Sequence, residues 1–267
     1  MIKRILLLIG TVTLSVLFVL CTVKIYRMYT DDRKSAESFE SIAELVIDVS
    51  SETVTITVEN EVSETYHFTE PKKITPYKKY EAVYEQNNDF VGWITIDGTN
   101  INYPVMQTKD TPNFYINHGF DKAYNDYGVP YVQEDCELGN SDNVIIYGHN
   151  MKDGTMFSDL EKYADESFFS EHRYICFDTL ADYGKYEIFA VFRTTAYSDD
   201  GFKYYNFVDA DDAEDFNNFI EKCKQLSLYN TGVTAEYGDK LLTLSTCEYT
   251  RTNGRFVVVA KLVNGYG

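Results

Sequence analysis

The feature that most constrains this chain is an apolar run near its N-terminus. Residues 5–23 contain no charged side chain, and a stretch of about 20 apolar residues is what an α-helix needs to cross a bilayer. A secretory signal peptide would have a shorter apolar region and a small-residue cleavage site, whereas residues 24–28 carry no Ala-x-Ala pattern. The run therefore predicts an uncleaved, single-pass signal anchor, with the rest of the chain folding as a separate part.

Basic residues flank the run on both sides, with Lys3 and Arg4 before it and Lys24 and Arg27 after it. Lys3, Arg4 and the amino terminus favour an N-terminus inside the cell, and the acidity of the remaining chain is compatible with export. The expected organisation is a cytoplasmic tail over residues 1–4, a membrane segment over 5–23, an extracellular stalk or accessory hairpin over 24–75, and an extracellular domain over 76–267.

Charge and cysteine usage exclude some classes of function. The 267 residues include 42 acidic and 24 basic side chains, for a formal charge of −18, so a nucleic-acid partner is not expected. The five cysteines are scattered, without a Cys-x-x-Cys motif or a nearby histidine, which argues against a zinc site. Mostly free thiols are expected, although a disulfide among Cys136, Cys176 and Cys223 stays open.

Beyond residue 76 the hydrophobic pattern predicts many short strands and one long amphipathic helix. Before that point, residues 46–58 alternate as a small hairpin with a turn at 50–52. Short strands with one inserted helix indicate a mainly β (α+β) fold built on a closed or nearly closed barrel. The predicted strands cover residues 90–96, 101–105, 128–133, 143–147, 174–177, 185–194, 240–246 and 256–263, and the predicted helices cover 77–88, 154–163 and 210–226.

Three residues at predicted strand ends could carry chemistry. Cys247 ends one strand and Arg255 opens the next, so a thiol nucleophile would face a guanidinium that can stabilise an oxyanion. His149 follows an apolar strand and a glycine, and rigid scaffolds often place reactive groups at such positions. A core cysteine and a surface arginine are the alternative interpretation. Arg251 competes with Arg255, which is preferred because a strand start is more rigid than the middle of a loop.

These segments resemble the signature of the sortases, the membrane-anchored cysteine transpeptidases of Gram-positive bacteria. The stretch Thr243–Cys247 with Arg255 resembles the active-site signature, and Tyr147–Met151 is similar to the histidine segment. Three further stretches resemble class B sortases in particular. The resemblance covers residues 77–264, and residues 29–75 match nothing in it. The class B stretches are residues 91–105, residues 154–160 and the long helix at 210–226.

The resemblance implies both a fold and an activity. The implied fold is a closed eight-stranded β-barrel with short helices, an N-terminal helix, and one long helix between strands six and seven. The implied enzyme cleaves an LPXTG-like sorting motif at the C-terminus of its substrate after the Thr, through a thioacyl intermediate on Cys247. It then transfers the protein to a peptidoglycan amine, or alternatively to a pilin lysine. By position, His149 is the general acid/base and Arg255 stabilises substrate and oxyanion. No metal or other cofactor is implied.

The same resemblance implies which residues and partners take part in binding. The implied partners are surface proteins that bear a sorting motif, an amine of the peptidoglycan precursor or cross-bridge, and the membrane. Two alternatives stay open: another cell-wall cysteine enzyme, such as an L,D-transpeptidase or endopeptidase, and a non-catalytic anchored module with the same fold. L,D-transpeptidases and such endopeptidases have glycine-rich sequence around the nucleophilic cysteine, and this is absent around Cys247. The substrate-binding residues that the resemblance implies are Ser245, Glu248, Tyr204, Tyr205 and Ile116.

Overall fold

The computed structural model describes residues 2–47, 53–59, 65–71, 75–197 and 201–264. The α-helices are α1 (Ile2–Ala43), α2 (Pro76–Gln86), α3 (Glu166–Glu171) and α4 (Ala213–Leu226). Short 3-10 helices cover Phe114–Ile116, Ser158–Ala164 and Tyr204–Asn206. The strands are β1 (Thr53–Glu59), β2 (Thr65–Pro71), β3 (Phe90–Thr95), β4 (Asn102–Met106), β5 (Tyr131–Val132), β6 (Asn143–Tyr147), β7 (Tyr174–Thr179), β8 (Lys185–Thr195), β9 (Leu241–Glu248) and β10 (Gly254–Asn264).

Strands β3 to β10 close into a barrel in the spatial order β10-β8-β7-β3-β4-β5-β6-β9. Its neighbouring strands are antiparallel except for β4 with β5 and β6 with β9, which run parallel. In the chain, α4 lies between β8 and β9, which are the sixth and seventh strands of the barrel. The predicted closed eight-stranded barrel with a long helix at this point is confirmed.

The centre of the barrel is packed around β10. Phe256 to Val259 are fully buried, and successive side chains of a strand point to opposite faces, so both faces of β10 are covered. The neighbouring strand β8 is covered by α4, whose buried stripe consists of Phe216, Phe219, Ile220 and Cys223. One face of α4 is therefore apolar because it packs against the outer side of the sheet and extends the core there, which explains the amphipathic pattern of this helix.

Three predicted elements begin later in the chain than the hydrophobic pattern indicated. Helix α4 starts at Ala213 rather than at residue 210 because the Asp212 side chain accepts hydrogen bonds from the first-turn backbone N–H groups and caps the helix. The strand predicted from residue 128 is reduced to β5, since Gly128 has a left-handed φ of 61° that interrupts extended backbone. The helix predicted over 154–163 is the 3-10 helix Ser158–Ala164.

A two-stranded hairpin is present, but it lies later in the chain than predicted. β1 pairs with β2 in antiparallel register, from Thr53 opposite Pro71 to Glu59 opposite Thr65. The predicted turn at residues 50–52 lies outside the described residues. The prediction of a strand at Val46 is wrong, because its backbone N–H bonds to Ala43 in a turn that extends α1. The Val46 side chain packs against a core cluster instead of pairing in a sheet.

Helix α1 joins the apolar N-terminal segment to the barrel without interruption. The stretch Ile9–Tyr26 is long and apolar enough to cross a membrane, by length and composition. The last turns of the same helix are packed into the domain: Ile42 is only 2% exposed, and the Phe39 ring contacts Tyr103 edge-on at 5.2 Å. The last turns of α1, expected to be part of a stalk, therefore contribute to the core.

Candidate active site

Two of the three predicted catalytic residues lie on neighbouring strands, and His149 lies just past the end of a third strand beside them. In the parallel pair β6–β9 the last paired residues are Tyr147 and Ser245, and His149 and Cys247 each lie two residues further along the chain. In the antiparallel pair β9–β10, Cys247 lies directly opposite Arg255. Adjacent strands are about 4.8 Å apart, so this register brings imidazole, thiol and guanidinium into one row.

This row borders a groove that is open to solvent, with about 420 Å³ of open space. Cys247, His149 and Arg255 are each half-buried, so they combine a fixed backbone with access for a ligand. Tyrosine and aliphatic side chains make much of the wall, which suits an extended peptide with apolar side chains. The groove is lined by Tyr115, Ile116, Val129, Tyr131, Tyr147, Gly148, His149, Ser245, Thr246, Cys247 and Arg255.

His149 is held by contacts on both its backbone and its ring. Its carbonyl accepts a hydrogen bond from the backbone N–H of Phe157 at 2.8 Å. Its Nε2 lies 2.6 Å from the carbonyl oxygen of Ile116. A carbonyl can only accept, so Nε2 carries the proton in this bond and Nδ1 is the nitrogen left to exchange a proton with other groups.

The Ile116 carbonyl that orients His149 is itself fixed by close packing. The backbone N–H of Val129 donates to the Tyr115 carbonyl at 3.0 Å. A Cβ at Gly128 would lie 2.4 Å from the Tyr115 oxygen and 2.8 Å from the Ile116 oxygen. Only glycine fits at this position, both for that reason and because its φ is 61°. The glycine therefore allows the wall of the groove to approach closely enough to hold the imidazole.

Cys247 differs from the buried cysteines in its surroundings. All five cysteines are free thiols. Burial raises the pKa of Cys136 to about 12 and also raises the pKa of Cys223, so both remain protonated and unreactive at neutral pH. Cys176 is half-buried on β7, away from the groove lining. Among the described residues, Cys247 is thus the one cysteine that lines the groove between a histidine and an arginine.

The structure separates the two arginines that the sequence left in competition. Arg251 lies in the β9–β10 loop and pairs with Glu248, with 3.8 Å between Nε and Oε2. Arg255 lines the groove, and its Nη1 donates to the carbonyl of Gly254 at 3.0 Å. Within the part of the chain that the structure describes, Arg255 has no ion pair with a carboxylate. Its charge is therefore available to a ligand, which favours Arg255 for the oxyanion role.

Two of the five predicted substrate-binding residues, Ile116 and Ser245, line the groove. Ile116 is 43% exposed on the rim, and Ser245 lies at the floor. The Tyr204 hydroxyl is 2.6 Å from Ser245 Oγ, so Tyr204, which is fully buried, supports the floor from below. The Tyr205 ring is half-buried beside Tyr197, at 6.1 Å between ring centres. Tyr204, Tyr205 and Glu248 are not among the groove-lining residues.

The carboxyl group of Glu248 is buried on the far side of β9 from the thiol. It accepts a hydrogen bond from the backbone N–H of Thr250 at 2.9 Å. Burial alone would raise the pKa of Glu248, but hydrogen bonds from Thr250 and the charges of Arg193 and Arg251 hold that pKa below its ordinary value. The carboxylate thus anchors the β9–β10 loop, and its predicted contact with a bound peptide stays a prediction.

Several groove residues were not found by sequence reasoning. The wall residues Tyr115, Val129 and Tyr131 come from a segment with no recognisable motif. Asn150 and Tyr249 lie outside the groove lining but close to it, and the available signal was their position, one residue after His149 and two residues after Cys247. Among the described residues, no group of three or more His, Cys, Asp or Glu side chains could hold a metal ion.

A thiol, an imidazole and a guanidinium that line one groove are the groups that a cysteine acyl-transfer enzyme uses. Residues 94–263 match the sequence profile of the Sortase domain. The chain is 37% identical to sortase B of Staphylococcus aureus over 190 residues, covering 69% of this chain and 75% of that protein. It is also 37% identical to sortase B of Listeria monocytogenes over 182 residues, covering 66% and 71% respectively.

Solved structures agree with these sequence matches. The S. aureus sortase B–substrate complex superposes with a TM-score of 0.64 at 35% identity, covering 70% of this chain and 85% of that chain. A sortase B of Bacillus anthracis superposes with a TM-score of 0.69 at 31% identity, covering 88% of this chain and 99% of that chain. The chain therefore belongs to the sortase family, as a class B sortase, and it is a cysteine transpeptidase.

Proposed function

We propose that this sortase is anchored in the cell membrane with its N-terminus inside, and that it joins surface proteins to the cell wall. It cleaves an LPXTG-like motif after the Thr and transfers the new C-terminus to a peptidoglycan amine. The observation that carries the proposal is that Cys247 on β9, Arg255 on β10 and His149, just past the end of β6, line one groove. The apolar stretch Ile9–Tyr26 supports the anchor.

In the proposed mechanism each of the three residues has a role in the first half of the reaction. The Cys247 thiolate attacks the carbonyl carbon of the Thr, and the developing oxyanion is stabilised by Arg255. The C–N bond then breaks, and the leaving amine takes a proton from Nδ1 of His149. Nε2 keeps its proton because it is held by the Ile116 carbonyl. The product of this half is a thioester between the sulfur and the substrate acyl group.

The second half returns the enzyme to its starting state. The acceptor amine attacks the thioester carbonyl and passes its extra proton to the imidazole, and the C–S bond breaks to release the thiolate. Histidine therefore acts first as an acid and then as a base, and no net proton is consumed. A related sortase B was solved in complex with triglycine. A glycine peptide offers a terminal amine, which supports an amine acceptor of this kind.

The direct test is mass spectrometry of the full-length protein in detergent, with a peptide that contains an LPXTG motif. We expect a covalent adduct at Cys247 whose mass corresponds to the peptide up to its Thr, and a transfer product when triglycine is added. Cys247→Ala should give neither. Unchanged peptide turnover in Cys247→Ala would refute the proposal.

A competition experiment distinguishes a peptidoglycan amine from a pilin lysine as the acceptor. The same assay is run with equal concentrations of triglycine and of a peptide whose only amine is a lysine side chain. Preferential transfer to triglycine is the expected outcome. Preferential transfer to lysine would replace the cell-wall acceptor by a pilin acceptor, while leaving the roles of the three catalytic side chains unchanged.

A further inference from the structure

The two strands that carry the histidine and the cysteine stop pairing just before both residues. The backbone N–H of Gly148 still donates to the Ser245 carbonyl at 3.2 Å. In a regular parallel ladder, the next bond from β6 would join the N–H of residue 150 to the Cys247 carbonyl. Strand β6 ends at Tyr147, and the side-chain amide of Asn150 donates to that carbonyl instead, at 2.8 Å.

A second hydrogen bond crosses the same gap in the opposite direction. The Tyr249 hydroxyl donates to the backbone carbonyl of Asn150 at 2.9 Å. Asn150 is 7% exposed, whereas the Tyr249 residue is 68% exposed and reaches the gap through its hydroxyl. Burial of the hydroxyl and the neighbouring Cys247 raise the pKa of Tyr249, so the proton it donates is retained at neutral pH.

We propose that these two hydrogen bonds form a clasp, and that Asn150 and Tyr249 are positioning residues that fix His149 relative to Cys247. Asn150 follows the histidine directly, and Tyr249 lies two residues after the cysteine. The clasp therefore ties the two strand ends together where the ladder no longer does. This inference rests on the roles proposed above for Cys247 and His149.

Removal of the clasp has a defined expected effect. The strand ends keep their fold through the rest of the barrel, but the imidazole and the thiol lose their fixed separation. A displacement of about 1 Å at reacting groups can lower the rate about 100-fold. Since each single bond is only part of the restraint, kcat should fall roughly 10-fold or more in a variant that lacks one bond, with KM changed by less than about 2-fold.

The test uses the full-length protein in detergent and the sorting-peptide assay. Asn150→Asp keeps the shape of the side chain, but a carboxylate has no N–H to donate. Tyr249→Phe removes only the hydroxyl. Tyr237→Phe is the matched control, because this tyrosine is 55% exposed and lies outside the groove lining. All rates are expressed per thioester-forming site, so that a misfolded fraction does not count as lost catalysis.

The expected result is a lower kcat at nearly constant KM for both clasp variants and unchanged kinetics for the control. The double variant should lose less than the product of the two single losses, because both bonds serve one restraint. Unchanged kcat in both variants would overturn the clasp, as would a rise in KM alone, which would indicate substrate contact. If the wild type forms no thioester at Cys247, the proposed function fails and the clasp with it.

Discussion

The packing of Gly148 gives the sharpest quantitative test of the site. A Cβ at this position would lie 2.6, 2.7 and 2.9 Å from three ring carbons of Phe157. Comfortable carbon contacts are about 3.5–4.0 Å, so Gly148→Ala requires a displacement of about 1 Å. Phe157 is fully buried in the main core. The strand end that carries His149 is therefore the part that has to move.

Two effects of Gly148→Ala follow, and they can be measured separately. Overpacking of a core typically costs about 1–3 kcal/mol in the free energy of unfolding. At roughly 2–4 °C per kcal/mol for a domain of this size, the melting temperature should fall by several degrees. Because His149 directly follows residue 148, kcat should fall about 100-fold. The measurements are thermal melts and initial rates of sorting-peptide cleavage per thioester-forming site.

A second substitution distinguishes the ring contact from general destabilisation. Phe157→Leu removes the ring carbons, so the double variant should regain at least about 10-fold of the activity lost in Gly148→Ala. Gly139→Ala is the control for stability, since its φ of 82° is strained for alanine but its Cβ would meet nothing within 4 Å. It should lower the melting temperature without changing kcat. A Gly148→Ala enzyme within about 3-fold of wild type would refute the reasoning.

Three further predictions concern charge and thiol chemistry. Arg255→Lys should lower kcat about 100-fold or more at an unchanged melting temperature, because a point charge replaces a planar donor fork at the oxyanion. For Glu248 the folded-state pKa lies below the unfolded value, so the carboxylate contributes stability above pH of about 4.3 that is lost as pH falls through the folded pKa. Thermal melts of Glu248→Gln should therefore show a shallower loss of stability between pH 7 and acid than wild type. At pH 8, a small methanethiosulfonate should modify Cys247 at least about 10-fold faster than Cys136 and Cys223, as mapped by peptide mass spectrometry.

Each of these predictions has a result that contradicts it. Full activity in Arg255→Lys would move the oxyanion role to Arg251 or to backbone N–H groups. A wild-type acid profile that is identical to that of Glu248→Gln would show that the carboxylate is not stabilised by folding. Modification of Cys136 as fast as Cys247 would mean that the groove thiol is not activated, which would favour a non-catalytic module.

The sequence was enough to single out each candidate catalytic side chain but not to predict how the three come together. Cys247, His149 and Arg255 were each found at a strand end next to turn residues, which is a local signal. Their convergence depends on the parallel register of β6 with β9, and a slip of one residue would turn each side chain to the other face. No local pattern specifies that pairing. The pairing of β6 with β9 could be expected only because the resemblance to sortases implied the whole fold.

The groove walls show where sequence reasoning was weakest. Tyr115 and Ile116 reach the site because Gly128 allows two backbones to approach, which is a property of tertiary packing. Conversely, the burial of Glu248 could have been anticipated. Side chains alternate along a strand, so the neighbour of a groove-facing Cys247 faces away from the groove. The hairpin was misplaced because the apolar residue Val46 was attributed to a strand and not to the end of a packed helix.

The parallel pairing of β6 with β9 also bears on when the enzyme becomes active. Thr243 donates to the side chain of Asn143, which precedes it by 100 residues, and this contact is buried within the same pair of strands. Contacts between such distant residues form slowly, because a long loop must close before they contribute. We therefore expect the pairing of β6 with β9, which brings the histidine and the cysteine segments together, to form late in folding. A newly made chain is then expected to lack the proposed Cys247–His149 pair until these two strands have paired.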